Sequence, residues 1–113
     1  MSGTKIDSET SGQKTILLID NSPINQSIIT KWLQKYYSHR FQVHAVGDAQ
    51  EAIHYIQQSK VCAGNEDSGK DLDVILVQWS LPVTSGIDLT RRIRVWEVEG
   101  MIVRQLPIIG MSW

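Results

Sequence analysis

The stretch that decides the fold is "DVILVQWSLP", residues 73–82. Its aliphatic residues lead to Gln78, an uncharged amide, which is followed by Trp-Ser-Leu-Pro. A short continuous apolar run bounded by turn residues is typical of a strand that is buried on both faces of a sheet. We therefore predict a central strand over 72–77 that ends in a loop suited to carrying functional side chains.

Three further strands are predicted, two before this stretch and one after it. Residues 15–19 form an apolar run that ends at Asp20, residues 41–46 alternate in polarity, and residues 106–112 form a strand that Pro107 opens. Helical patterns separate the four runs. Alternation of strands and helices predicts a parallel sheet with helices on both faces.

Each predicted helix has a recognisable beginning. Ser22 is placed to cap the first helix, with Pro23 at its first position. Asp48 and Glu51 have the spacing of a capping box for the second helix. The third helix begins near Ser85 and ends at Gly100. The apolar stripe of the first helix predicts that it packs against another element, and consists of Ile24, Ile28, Ile29, Trp32, Leu33 and Tyr36.

Length and composition exclude several classes of protein. The chain has 113 residues, which suits one domain, predicted over 15–113 after a polar, flexible tail over 1–14. The net charge of −1 gives no electrostatic reason to expect nucleic acid or an anionic membrane as partner. Cys62 is the only cysteine, so no internal disulfide forms, and we interpret it as an incidental thiol. No apolar run approaches the roughly 18 residues that span a bilayer, so we expect a soluble, cytoplasmic domain.

Polar residues follow the predicted strands at their carboxyl ends. Asp20 and Asn21 follow the first strand, Gln78 the third, and Ser112 closes the fourth. In open parallel sheets, ligands bind outside the carboxyl ends of the strands. The sequence therefore predicts that these side chains gather at one edge of the sheet.

Three sequence blocks together resemble the receiver domains of two-component response regulators, in the version attached to hybrid histidine kinases. "ILLIDNSPINQSI" resembles the opening strand, acidic pair and helix start of that family. "DVILVQWSLPVTSGIDLTRRIR" resembles the strand, phosphoacceptor, turn and third helix, and "LPIIGMS" resembles the fourth strand. The blocks span residues 15–112 in the family's order. The resemblance implies a flavodoxin-like (CheY-like) parallel α/β fold.

The same resemblance implies a disabled phosphorylation site. Gln78 stands at the phosphoacceptor position, where the family has an Asp, and an amide lacks the anionic oxygen that attacks phosphorus. Asp20 and Asn21 stand at the Mg²⁺-binding acidic pair, and the phosphoacceptor, here Gln78, is the family's third ligand. Only one of these three positions therefore carries a carboxylate. We predict weak or absent Mg²⁺ binding, with Asp20 at most as a ligand, and no cofactor. Ser112 matches the switch hydroxyl, while Pro82 and Gly86 match the turn after the phosphoacceptor.

The family's later elements have no match in this sequence. Its fourth helix, fifth strand with its Lys, and fifth helix are missing, so we expect an incomplete receiver domain. The strand over 106–112 then becomes an apolar edge strand, which favours pairing with another chain. Part of the apolar stripe over 24–36 is also expected to lose its cover. The expected partners are a histidine kinase, a phosphotransfer protein, or a second copy that covers this edge.

Several of these residues also have purely structural interpretations. A structural role for Asp20, as an acid near a helix N-terminus, is favoured over residual Mg²⁺ binding. Trp79 is interpreted as a packing or surface aromatic residue, and "RRIR" (91–94) as the solvated face of the third helix. Trp32 and Trp96 are predicted to be partly core. The histidines show no ligand spacing; they are His39, His44 and His54. A haloacid-dehalogenase-type phosphatase needs a second Asp where Ser22 stands, so no enzymatic activity is expected.

The sequence thus favours a phosphorylation-independent regulatory or protein-binding receiver module in phosphorelay signalling. The alternative is a fragment of a larger hybrid histidine kinase or response regulator with no independent activity. A working phosphoacceptor at Asp73 or Ser80 ranks below both.

Overall fold

Four parallel strands alternate with three helices in the computed structural model, which describes residues 12–37 and 40–112. Most of the predicted tail, His39 and Trp113 lie outside the described residues. In chain order the elements are β1 (Lys14–Ile19), α1 (Pro23–Tyr37), β2 (Phe41–Val46), α2 (Ala49–Gln57), β3 (Val74–Gln78), α3 (Gly86–Val98) and β4 (Ile108–Met111).

The strands form one sheet in the order β2-β1-β3-β4, with every neighbouring pair parallel. The predicted third strand is therefore central, as expected. β1 and β3 are the inner strands, and Leu17, Leu18, Ile19 and Ile75 are fully buried in them. This arrangement confirms the predicted flavodoxin-like parallel fold.

Helices cover both faces of the sheet. α2 and α3 pack on the face formed by Leu17, Ile19, Ile75 and Val77, where they build one hydrophobic core. Because side chains alternate along a strand, Leu18 points to the opposite face, where α1 lies. Among the described residues, none of these helices is long and apolar enough to cross a bilayer.

The predicted helix caps are confirmed. The Ser22 hydroxyl accepts the Asn25 N–H at 3.2 Å, and the Asp48 carboxylate accepts the Glu51 N–H at 2.8 Å. Ser85 caps α3 through the Asp88 N–H at 3.1 Å. At the other end of α3, Gly100 has a φ of 81°, the left-handed conformation that stops a helix without strain in glycine.

The expectation that only part of the α1 stripe is covered is confirmed, whereas the prediction that Trp32 is partly core is wrong. Leu33 is the buried residue of α1, and Ile29 is partly buried. Four members of the stripe, including Trp32, which the sequence placed partly in the core, are instead exposed; they are Ile24, Ile28, Trp32 and Tyr36. α1 contacts the sheet mainly over the edge strand β2, so a single narrow side of the helix is covered.

Two strand boundaries also differ from the prediction. β3 runs from Val74 to Gln78, since Gln78 pairs with Met111 of β4. Asp73, just before the strand, bonds to Thr15 through its main-chain N–H at 2.9 Å and through its carboxylate at 2.8 Å. β4 begins only at Ile108, because the main chain of Leu106 binds side chains of α3. The side-chain contacts of Leu106 therefore make β4 begin later than apolar patterning suggests.

The segment between α2 and β3 is packed rather than loose. Val61 and Leu72 are buried, and the Tyr55 hydroxyl donates to the Asp71 carbonyl at 2.7 Å. Burial, and after it the charges of Asp71 and Asp73, raise the pKa of Tyr55 above its ordinary value. The phenol therefore stays protonated at neutral pH and keeps its donor role.

Candidate functional site

The predicted polar residues meet at the carboxyl edge of the sheet. Ile19 pairs with Val77, so Asp20 continues beside Gln78. Gln78 in turn pairs with Met111, which places Ser112 next along the same edge. Asp20 and Gln78 are buried, whereas Ser112 is exposed. The structure thus brings together residues that lie far apart in the sequence.

Asp20 is fully buried and holds the turn into α1. Its Oδ1 accepts the Ser22 N–H at 2.9 Å, and its own N–H donates to the Val46 carbonyl at 3.1 Å. A carboxylate beside a helix N-terminus is also favoured by the helix dipole. These contacts give Asp20 a structural role at this edge.

Gln26 is a residue of this edge that the sequence analysis missed. Its amide nitrogen donates to the Asp20 carbonyl at 2.6 Å and to the Val46 carbonyl at 3.1 Å. It therefore joins α1 to the ends of β1 and β2. The sequence feature that could have indicated this role is its position on the polar side of the helix, one turn after Ser22.

Gln78 occupies the end of β3 with 5% of its surface exposed. Its Oε1 lies 3.5 Å from the Ser80 N–H, a long hydrogen bond within its own loop. Gly86 packs directly on this segment: a Cβ built there would lie 2.5 Å from the Gln78 carbonyl oxygen and 2.9 Å from the Trp79 Cα. The glycine that the sequence singled out is needed here for close approach.

The donor set at this edge does not fit a hard divalent cation. Asp20 supplies one carboxylate, while Asn21 and Gln78 supply amides, and Mg²⁺ prefers carboxylate oxygens in octahedral geometry. Within residues 12–37 and 40–112, no group of three or more His, Cys, Asp or Glu side chains is arranged to hold a metal ion.

The loop after Gln78 contains the single non-glycine residue at positive φ in the described chain. Val83 has a φ of 65° and is fully exposed, while Pro82 before it is exposed as well. A β-branched residue in this conformation is a genuine outlier that costs of order 1–3 kcal/mol. The strain lies in the turn that joins the candidate site to α3.

Val83→Asn is expected to raise the free energy of unfolding by about 1 kcal/mol, because Asn tolerates the left-handed region. Urea denaturation of the two proteins would measure the difference. Val103→Asn is a matched control, since Val103 is also exposed but has no positive φ. An equal gain in the control would show that polarity rather than relief of strain is responsible.

A tryptophan–glycine contact links this loop to β4. The Trp79 indole lies against the main chain of Gly110, so closely that any Cβ at position 110 would overlap Cζ2 and Cε2 of the ring. Trp79 is partly buried against the core, and its main-chain N–H donates to the Met111 carbonyl at 3.0 Å. The packing role interpreted for Trp79 from the sequence is supported by this geometry.

The family of the chain follows from a comparison with protein-family models. The model described as "Response regulator receiver domain" matches residues 16–112. The chain therefore belongs to the response regulator receiver domain family, whose members act in two-component phosphorelay signalling. No curated protein matches the chain.

Solved receiver domains share the fold. An alanine mutant of the receiver domain of the histidine kinase CKI1 from Arabidopsis thaliana has a TM-score of 0.72 at 22% identity, with 94% of this chain and 70% of that chain covered. A receiver protein from Pseudomonas putida has a TM-score of 0.64 at 21% identity, with 88% and 68% covered.

A third similar structure is a co-crystal from Saccharomyces cerevisiae. It contains the histidine phosphotransfer signalling protein Ypd1 and the receiver domain of its downstream response regulator Ssk1. The TM-score is 0.60 at 27% identity, with 89% of this chain and 63% of that chain covered. The chain thus spans about two thirds of the length of the structures it resembles.

Proposed function

We propose that this chain acts in phosphorelay signalling as a receiver-like module that binds a protein partner and does not itself accept a phosphoryl group. The observation that carries the proposal is Gln78. It stands at the end of β3, the family's phosphoacceptor position, and is buried beside Asp20. An amide cannot form the acyl phosphate, and no enzymatic activity is expected of the site.

The surroundings of Gln78 support a fixed, uncharged site. The Ser80 N–H, a group that otherwise would be available to an anion, points to the Gln78 amide oxygen. With Asn21 in the acidic pair, we propose that Mg²⁺ binding is weak or absent. Ser112, at the switch position, then has no phosphoryl oxygen to bind.

Neither alternative phosphoacceptor fits the geometry. The Asp73 carboxylate binds the Thr15 N–H and Arg104 at the amino end of the sheet, away from the other polar strand ends. Ser80 is exposed and lies beside the amide of Gln78 rather than a metal-binding carboxylate. The binding role therefore accounts for more of the structure.

The exposed row on α1 is the proposed binding surface. Ile24, Ile28, Trp32 and Tyr36 recur every fourth residue and are all exposed. α1 contains lysines but no acidic residue, so the apolar row is flanked by positive charge alone. This combination fits a helical partner with an apolar stripe bordered by carboxylates. The Ssk1–Ypd1 co-crystal shows that a similar domain binds a histidine phosphotransfer protein.

The chain is expected to bind such a partner equally well with and without Mg²⁺ and beryllofluoride. Calorimetry with Ypd1 as the probe would measure the dissociation constant. Trp32→Ala is expected to raise this constant about tenfold or more, because aromatic residues that become buried in an interface contribute much of the binding energy. Val103→Ala is the matched control, because Val103 is exposed but lies outside α1.

Transfer from phosphorylated Ypd1 provides the second measurement. We expect no phosphoryl group on the chain, because Gln78 offers no acceptor oxygen. Phosphorylation of the chain, or an affinity that depends on beryllofluoride, would contradict the proposal.

A second candidate is that residues 1–113 are one segment of a larger hybrid histidine kinase or response regulator without independent activity. The observation in its favour is the coverage of 70% and 68% of the similar structures. Sequencing of the full transcript would distinguish the two, since coding sequence that continues the receiver fold would favour the segment.

A further inference from the structure

β2 is an edge strand, because the strand order begins with it and β1 is its sole neighbour in the part of the chain that the structure describes. On its inner side, the Lys14 N–H donates to the Arg40 carbonyl at 2.9 Å, and the Asp20 N–H donates to the Val46 carbonyl at 3.1 Å. Residues 40 and 46 therefore direct their carbonyl groups toward β1. These two bonds fix the direction of the main-chain groups between them.

Three residues of β2 direct their main-chain groups away from the sheet. Main-chain groups alternate along a strand, so the even-numbered residues over 40–46 face β1 and the odd-numbered ones face outward; these are Phe41, Val43 and Ala45. Within residues 12–37 and 40–112, no other residue bonds to their N–H and C=O groups. The edge thus presents three donors and three acceptors to another strand.

The two faces of the sheet differ in chemistry beside this edge. Val46 belongs to the core under α2 and α3, so His44 points to the same face, where its ring lies 4.5 Å from that of Tyr55 in α2. Phe41 points to the opposite face, and its ring lies 5.8 Å from that of Tyr37 in α1. A strand added to β2 would therefore meet polar side chains on the α2 face and apolar ones on the α1 face.

On the α2 face, an open groove runs between β2 and α2. Its volume is about 520 Å³, which is enough for several side chains. Polar and aromatic side chains form much of its lining, among them His44, Glu51, His54, Tyr55, Gln58 and Lys70. The groove is therefore suited to polar rather than aliphatic side chains of an added strand.

The unmatched charge in this groove is positive. The Lys70 ammonium lies 5.5 Å from the centre of the Tyr55 ring and forms no ion pair with another described residue. The neighbouring Asp71 carboxylate binds Lys60 at 3.0 Å. Glu51 is held at the start of α2, where its carboxylate accepts a main-chain N–H of the preceding turn at 2.6 Å. Lys70 is thus the cation available to a carboxylate from another molecule.

We propose that β2 pairs with an extended segment of a partner protein in which apolar and acidic residues alternate. The segment runs antiparallel to β2, the more stable arrangement per residue, so that its residue opposite Val43 exchanges both main-chain hydrogen bonds with it. Its apolar side chains lie beside Phe41 and Val43, and its acidic side chains enter the groove near Lys70. The inference goes beyond the proposed function, because this contact involves neither Gln78 nor the α1 row.

A short peptide, acetyl-Val-Glu-Val-Glu-Val-amide, is the probe for this site. Titration followed by NMR is expected to give a dissociation constant of about 1 mM or lower, with the largest shifts at the amides of Val43 and Ala45. The same peptide with lysine in place of glutamate reverses the charge, and the isomer Val-Val-Glu-Glu-Val loses the alternation. Each should bind at least fivefold more weakly. Equal binding of the three peptides, or binding of none, would overturn the proposal.

N-methylation of the peptide tests the main-chain pairing. Methylation of the central valine removes the N–H that faces the Val43 carbonyl, and it should raise the dissociation constant at least tenfold. Methylation of either glutamate alters an N–H that points to solvent, and it should change the constant less than twofold. Any other pattern would exclude antiparallel pairing with β2.

Substitution of Lys70 tests the charge in the groove. Lys70→Glu, at an exposed position, is expected to weaken binding of the glutamate peptide at least fivefold and to strengthen binding of the lysine peptide. Arg91→Glu makes the same change of charge at an exposed position of α3 and should alter neither. Equal effects of the two substitutions would contradict the proposal. A dimer of the chain that protects the Val43 amide from hydrogen exchange would also refute it, because a second copy would then occupy the edge.

Discussion

Gly110→Ala is expected to lower the free energy of unfolding by about 3 kcal/mol, a large part of the 5–15 kcal/mol typical of a domain. The reason is the overlap of the new Cβ with Cζ2 and Cε2 of Trp79. The indole must leave its place against the core, because the β4 main chain is held to β3 on its other side. Urea denaturation followed by circular dichroism would measure the loss.

Gly47→Ala is the matched control for this substitution. A Cβ at position 47 would meet Glu51 Oε1 at 3.5 Å, an ordinary contact, so little change is expected. A double-mutant cycle then isolates the mechanism. In a Trp79→Ala background Gly110→Ala should cost less than about 1 kcal/mol, since the indole is gone. A full penalty in that background would show that strain in β4 itself is responsible.

The double variant Asn21→Asp/Gln78→Asp is expected to gain Mg²⁺ binding with a dissociation constant of about 1 mM, which corresponds to about −4 kcal/mol. It places three carboxylates at the strand ends, where the natural chain has Asp20 alone. Carboxylate oxygens are the protein ligands that Mg²⁺ favours. Calorimetric titration with MgCl₂ would measure the gain, and thermal unfolding should show stabilisation that rises with Mg²⁺ concentration.

The gain must depend on position rather than on added charge. Gln34→Glu/Gln57→Glu changes the net charge by the same amount at exposed helical positions and should not bind Mg²⁺. In the absence of the ion, the site variant should be less stable than the natural chain, because carboxylates then face one another in a partly buried place. Equal Mg²⁺ binding by the natural chain would refute our account of Asn21 and Gln78.

Much of the architecture was predictable from local patterns. The continuous apolar runs of β1 and β3 reflect burial on both faces, and the caps at Ser22, Asp48 and Ser85 follow from short-range hydrogen bonding. The meeting of Asp20 and Gln78 was also predictable, because the carboxyl ends of parallel strands share an edge. Their roles in signalling stay a prediction.

Other features depend on contacts that a linear pattern does not contain. The α1 stripe has helical periodicity, but periodicity does not reveal whether anything covers it, and Trp32 is exposed. The contact of Trp79 with Gly110 joins residues 31 positions apart, and the positive φ of Val83 is imposed by the turn between β3 and α3. The late start of β4, at Ile108 rather than Leu106, comes from the side chains of Arg94 and Glu97.

The two ends of β4 are held to different degrees, and this has a dynamic consequence. Arg94 and Glu97 fix Leu106 just before the strand. At the far end, the last ladder bond runs from the main-chain N–H of Trp79 to the Met111 carbonyl, beside the exposed Ser112. Amide hydrogen exchange should therefore be slower at Leu106, whose N–H donates to Glu97, than at Met111, where the strand frays from its carboxyl end. The Trp79 amide then reports each opening of the edge next to Gln78.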